Sequence, residues 1–208
     1  MMKTKHTLYR YFALTITLIM LMGCGESPPA LTSLPQDSVI LAFGDSLTQG
    51  VGAQPQHSYP TELARLTGRN IINAGISGET TSEGLQRLES VLFQERPDLM
   101  VLLEGGNDIL RNQRSSRTKE NLAQMIDVAK QQNVQIVMLG VPSKNLFSGS
   151  ASFYTELAEE YNLVFDGSLI RELLLSPSYK SDSVHLNAAG YRALAEGVYK
   201  LLEDNGAL

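Results

Sequence analysis

The sequence predicts a three-layer αβα sandwich, and three features carry that reading. Short apolar runs alternate with stretches of helical spacing over about 170 residues, the runs are continuous instead of alternating in polarity, and no repeat or internal linker divides the stretch. A strand that is apolar on both faces belongs inside a parallel sheet covered by helices on either side.

The expected strands are Val39–Phe43, Asn70–Ala74, Leu99–Leu103, Val134–Leu139 and Leu163–Phe165. After the first, Leu63 and Leu66 mark a helix. After the second, Leu85, Leu88, Val91 and Leu92 mark another, opened by a capping box in which Thr80 or Thr81 is answered by Glu83 near the third helical position. Leu122, Met125, Ile126 and Ala129 form a third stripe. Tyr191, Leu194, Ala195, Val198, Leu201 and Leu202 form the last, with Asn187 placed to cap it. Stripes at this spacing are core faces of helices.

Composition bounds the function. The chain has 208 residues, 43% hydrophobic and 19% charged, with 17 Gly and 8 Pro. That describes one globular domain, and no collagen-like or disordered chain. One cysteine excludes an internal disulfide, and a formal charge of −5 argues against a nucleic-acid partner. Two histidines remain after residue 23, far apart and without a thiolate partner, so neither a metal nor a cofactor is expected.

The amino terminus reads as an export signal. Lys3, Lys5 and Arg10 precede an apolar run from Tyr11 to Met22, too short to span a bilayer, which needs about 20 residues, but the length of a signal-peptide core. Leu21-Met22-Gly23-Cys24 resembles the lipobox at which bacterial lipoproteins are cleaved and lipidated, although Met22 departs from the small or β-branched residue usual there. The expected organisation is therefore a signal peptide over 1–23, a flexible tether over 24–37 beginning at lipidated Cys24, and one domain over 38–208. Gly25 lacks the acidic character of an inner-membrane retention signal, so the expected address is the outer membrane, facing the periplasm.

In a doubly wound sheet, ligands bind beyond the carboxyl ends of the strands, and the chemistry-bearing residues fall there. Gly44-Asp45-Ser46-Leu47 follows the first strand and places a serine where the chain leaves the sheet, beside a helix start whose free amides favour negative charge. Gly75-Ile76-Ser77-Gly78 follows the second, where the Gly78 N–H can approach a ligand unobstructed. Gly105-Gly106-Asn107-Asp108 follows the third and offers the Asn107 amide. Near the end lies Asp182-Ser183-Val184-His185, in which a carboxylate three residues before a histidine can orient one imidazole nitrogen while the other reaches a serine. Asp45 and Asp108 are read as structural, tying down loop amides.

These four segments, in this order, resemble the four blocks of the SGNH (GDSL-type) esterases and lipases. Within that family the stretch from Asn73 to Asn112 is most like the thioesterase, lysophospholipase and arylesterase group. The resemblance covers Val39 to Leu202 and implies a flavodoxin-like sheet of five parallel strands. It implies Ser46 as nucleophile, His185 as base oriented by Asp182, and an oxyanion hole made by the Ser46 amide, the Gly78 amide and the Asn107 side chain. The implied activity is hydrolysis of small-molecule carboxylic esters and thioesters through an acyl-enzyme, without cofactor or metal; the lipobox-like segment adds the expectation of a membrane contact through the lipid on Cys24, and a monomer is the favoured state. Two departures stand out: Gly75 replaces a serine, and the segment after Val141-Pro142 is short. Arg111, Arg114 and Arg117 form a basic loop that is either solvated or a contact for an anionic substrate, and Leu146, Phe147 and Phe153 either line an acyl pocket or pack. Acyl transfer to an alcohol or sugar would use the same residues. The rival from another class is a non-catalytic, flavodoxin-like envelope lipoprotein.

Overall fold

The computed structural model describes residues 29–144 and 149–208, so the signal segment, Cys24, Leu146 and Phe147 lie outside the described residues. Five strands form one sheet: β1 (Val39–Gly44), β2 (Asn70–Gly75), β3 (Leu99–Leu103), β4 (Gln135–Leu139) and β5 (Val164–Asp166). Every pairing is parallel and the order is β2-β1-β3-β4-β5, the flavodoxin-like arrangement. Strand β3 is buried throughout and β1 at all but its first residue, because each has a strand on both sides and helices on both faces. Strand β2 is an edge, only partly covered, and its sequence mixes Asn70 and Asn73 with apolar residues accordingly.

The helices are α1 (Ser46–Gln49), α2 (Tyr59–Thr67), α3 (Thr81–Glu95), α4 (Gly106–Leu110), α5 (Ser115–Gln131), α6 (Ser152–Tyr161), α7 (Leu169–Leu175) and α8 (Ala188–Asp204). Helix α8 packs on α2 and α7, and α5 packs on α3 and α6, giving two helical layers around the sheet. Thr80 and Glu83 form the expected capping box of α3, and the Asn187 side chain accepts from the Gly190 N–H to cap α8. Two helices, α6 and α7, carry no stripe long enough to be singled out in the sequence. Leu66 is an exception to its stripe, being 40% exposed.

One expectation is corrected. The tether assigned to 24–37 does not extend through residues 31–36, which lie as a strap along the amino edge of the sheet. The Leu31 N–H donates to Asn205 O (2.9 Å) and the Leu34 N–H to Ala207 O (2.8 Å). Thr32 exchanges two bonds with the Gln135 side chain, at 2.6 and 3.0 Å, and Arg69 donates to Leu34 O at 2.9 Å. Composition suggests a tether because Ser27, Pro28, Pro29, Ser33 and Pro35 punctuate the stretch; the buried Leu34 side chain and these bonds hold it down.

At the opposite edge, Gly44 pairs with Gly75 on one side and Leu103 on the other. Three strands therefore end level, and the three loops that follow them converge.

Candidate active site

Ser46 opens α1, two residues beyond β1. Asp45 turns the chain: its Oδ1 accepts the Leu47 N–H (3.0 Å), and Gly50 ends the single turn in a left-handed conformation (φ 97°). The short helix lies tightly against the end of β2. A Cβ on Gly75 would come within 2.1 Å of the Gln49 backbone nitrogen, so a side chain at 75 is excluded by this packing.

His185 arrives from the far end of the chain. Its Nε2 lies 3.1 Å from Ser46 Oγ and its Nδ1 lies 2.8 Å from Asp182 Oδ2. The other Asp182 oxygen accepts the N–H groups of Val184 and His185, both at 2.9 Å. The Val184 N–H, helped by the imidazole, holds the Asp182 carboxyl below its ordinary range. The loop itself is closed by Ser181 N–H donating to His185 O (3.1 Å) and by the Asn187 amide donating to the carbonyls of Ser178 (2.9 Å) and Lys180 (3.1 Å). The other described histidine, His57, pairs with Glu62 at 3.2 Å.

Gly78 adopts φ +81°, the left-handed region that favours glycine. Its carbonyl accepts from Arg111 Nη2 at 2.7 Å, which ties the β2–α3 loop to the segment after α4. The Asn107 amide nitrogen donates to Glu79 O (2.9 Å) and Asp45 Oδ2 (3.2 Å). Both of its hydrogens thus have protein acceptors, and the longer bond, to Asp45, is the one a ligand oxygen can most readily replace. Serine, glycine, asparagine and histidine from four separate segments are brought to one place. A family model described as GDSL-like Lipase/Acylhydrolase family matches residues 42–193, which contain all four.

The chain belongs to that family. The hydrolase is similar to thioesterase 1/protease 1/lysophospholipase L1 of Escherichia coli K12, with 27% identity over 172 residues, 79% of this chain and 83% of that protein. The solved structure of AlinE4, an SGNH-hydrolase family esterase, superposes with a TM-score of 0.63 at 32% identity, covering 83% of this chain and 98% of that one. A more distant likeness, 26% over 114 residues (48% of this chain, 46% of the other), is to the uncharacterized lipoprotein YqeF of Bacillus subtilis. The protein is a carboxylic ester hydrolase of the SGNH type. Among the described residues no helix is long and apolar enough to cross a membrane.

Beneath the hydrolase's site lies a layer of buried acids, of which the sequence singled out Asp45 and Asp108 but not Glu79 or Glu104. Asp45, Glu79, Glu104 and Asp108 are each 5% exposed or less. Asp108 accepts the Thr81 N–H (2.8 Å) and the Thr81 hydroxyl (2.6 Å), joining α4 to the start of α3. Glu79 is paired with Arg87, whose Nε donates at 2.6 Å, whose Nη2 also reaches Ala74 O (2.8 Å), and whose guanidinium lies 4.0 Å above the Phe43 ring. Among the described residues, Glu104 accepts only the N–H of its neighbour Gly105, at 2.8 Å, through one oxygen, and its other oxygen is buried without a partner. Burial pushes the Asp45 carboxyl up to about 6, and burial together with the Asp45 charge pushes Glu104 well above the ordinary range. Asp45 was expected to be structural, and it does cap a turn, but its second oxygen also touches Asn107.

A cavity of about 270 Å³ is lined by Leu47, which follows the serine, with Ile109, Leu110, Val141, Val184 and Lys144. Phe153 is buried and stacks on Tyr154 at 4.5 Å between ring centroids, so it packs in the core. Of the basic loop, Arg111 holds the Gly78 carbonyl and Arg114 occupies the cap position of α5.

Proposed function

We propose that the hydrolase cleaves carboxylic esters and thioesters of short to medium acyl chains through an acyl-enzyme on Ser46. The observation that carries this reading is the single line of contacts Asp182–His185–Ser46, with 2.8 Å on one imidazole nitrogen and 3.1 Å on the other. A serine hydroxyl is too weak an acid to attack an ester unaided. His185 Nε2 takes its proton as Oγ bonds to the acyl carbon, and Asp182 fixes the tautomer and meets the imidazolium charge. The tetrahedral oxygen is met by the Ser46 N–H, the Gly78 N–H and Asn107 Nδ2. Its negative charge competes with Asp45 for the Asn107 amide. His185 then returns the proton to the departing alcohol or thiol, and the same nitrogen activates the water that releases the acid.

A cavity of about 270 Å³, just below the span typical of drug-sized ligands at about 300–1,000 Å³, supports the short- to medium-chain range. Export, cleavage before Cys24 and lipidation of that residue complete the reading, and they rest on the lipobox-like Leu21-Met22-Gly23-Cys24. The experiment is active-site labelling: an organophosphonate should modify Ser46 alone, and Ser46→Ala should lose both labelling and turnover of aryl esters. Labelling at another residue, or full turnover by the alanine variant, would overturn the assignment.

A further inference from the structure

The strap and the candidate site lie at opposite ends of the sheet. Every bond that holds Leu31, Thr32 and Leu34 ends on the amino edge. The partners are Gln135, which starts β4; Arg69, just before β2; and Asn205 and Ala207, beyond the end of α8. Ser46, Gly78 and Asn107 all follow carboxyl ends. In a parallel sheet these edges are separated by at least the strand length, about 20 Å for the six residues of β1 at ~3.3 Å each.

That separation can be set against the length of chain available to an anchor. Pro29, the first described residue, borders the same cleft as Asn162, before β5, and Asn205, beyond α8, so from Cys24 there are five Cα–Cα steps, which span at most about 18 Å whatever their conformation, less than the distance between the edges. A domain of this size has a radius of gyration of about 15 Å, hence a height of roughly 40 Å. A lipid on Cys24 therefore lets the domain tilt, but the chain is too short for it to turn over and bring the carboxyl edge down to the bilayer.

We propose that the catalytic mouth faces away from the membrane that holds Cys24, and that the substrates are esters delivered from the aqueous space and not acyl lipids of the anchoring leaflet. The inference rests on the esterase and lipid-anchor readings above and narrows their substrate class. Charge works in the same direction. Beyond residue 23 the chain carries 14 Lys+Arg against 22 Asp+Glu, an excess that an anionic lipid surface repels.

The test uses the full chain, processed in a bacterial host and reconstituted into phosphatidylcholine vesicles that hold a long-chain aryl ester in the bilayer. Beside it runs a variant with about twenty Gly/Ser residues inserted after Ser27, whose extended reach exceeds the height of the domain. A water-soluble short-chain aryl ester reports the integrity of the site in both. Equal turnover of the soluble ester is expected, with the longer tether raising turnover of the bilayer-held ester at least about tenfold. Equal rates on the bilayer-held ester, fast or slow, overturn the inference. Mass spectrometry that finds no lipid on Cys24 overturns it at the anchor. Loss of soluble-ester turnover in both proteins overturns the esterase reading instead, so the failures are separately visible.

Discussion

Asp45 serves two partners, the Leu47 N–H through one oxygen and the Asn107 amide through the other, and it does so while buried. Burial raises its carboxyl from 3.8 to about 6. The folded chain therefore keeps a proton there across a pH range in which the unfolded chain has already released it. The contribution of Asp45 to stability is therefore greatest below pH 4, falls as the pH rises from about 4 to 6, and is level above. A shift of about two units at 1.36 kcal/mol each makes that fall about 3 kcal/mol. Asp45→Asn cannot ionise and has no such fall. Its stability relative to the native chain should therefore improve by about 3 kcal/mol between pH 4 and pH 7, measured as the difference in urea unfolding free energies at the two values.

The same substitution should injure catalysis. Asparagine keeps an acceptor for Leu47, but it offers N–H groups where Asn107 must donate, so the oxyanion amide loses its support. We expect kcat to fall roughly ten- to a hundredfold with a smaller change in KM, the pattern of an interaction made chiefly in the transition state. Stability curves for the two proteins that run parallel from pH 4 to 7 would refute the claim that Asp45 is held as a buried, strained carboxylate. An unchanged kcat would refute its link to Asn107.

Asn107→Ala should lower kcat on an aryl ester by about a hundred- to a thousandfold, the typical effect of removing one oxyanion donor; steady-state kinetics that show wild-type turnover would remove Asn107 from the hole. Arg87→Met should leave the Glu79 carboxylate buried and unpaired, costing about 3–5 kcal/mol. For a domain of this size that lowers the thermal midpoint by roughly 10 °C. A calorimetric midpoint within a degree or two of the native value would refute the reading that Arg87 offsets the burial of Glu79.

What the sequence made legible divides along a physical line. The strands could be read because burial on both faces leaves an uninterrupted apolar run, as in Leu99–Leu103. The residues placed to touch a substrate could be read because each lies within a few positions of a strand end, where only Gly, Ser, Asn or Asp suits the turn. The His185 loop was readable for a related reason: Asp182 bonds backbone groups two and three residues on, a local pattern that a short motif can carry. Helices α6 and α7, at ten and seven residues, are too short for periodicity to separate them from loop.

The acid layer follows a different logic. Glu79 and Arg87 are eight residues apart and meet only because α3 folds back over the end of β1. Glu104 and Asp45 each follow a different strand, 59 positions apart, and influence one another only once water has been removed from between them. Nothing in residue type distinguishes Glu104 from a surface glutamate, since its partnerless oxygen is a property of the packed interior. Side chains that meet a substrate directly are constrained by the geometry of a turn, which is local. The side chains that set the charge beneath them are constrained by desolvation, which belongs to the whole fold. A short motif can therefore name Asn107 and the Asp45 that holds its amide, and remain silent about Glu79 and Glu104, buried beneath them.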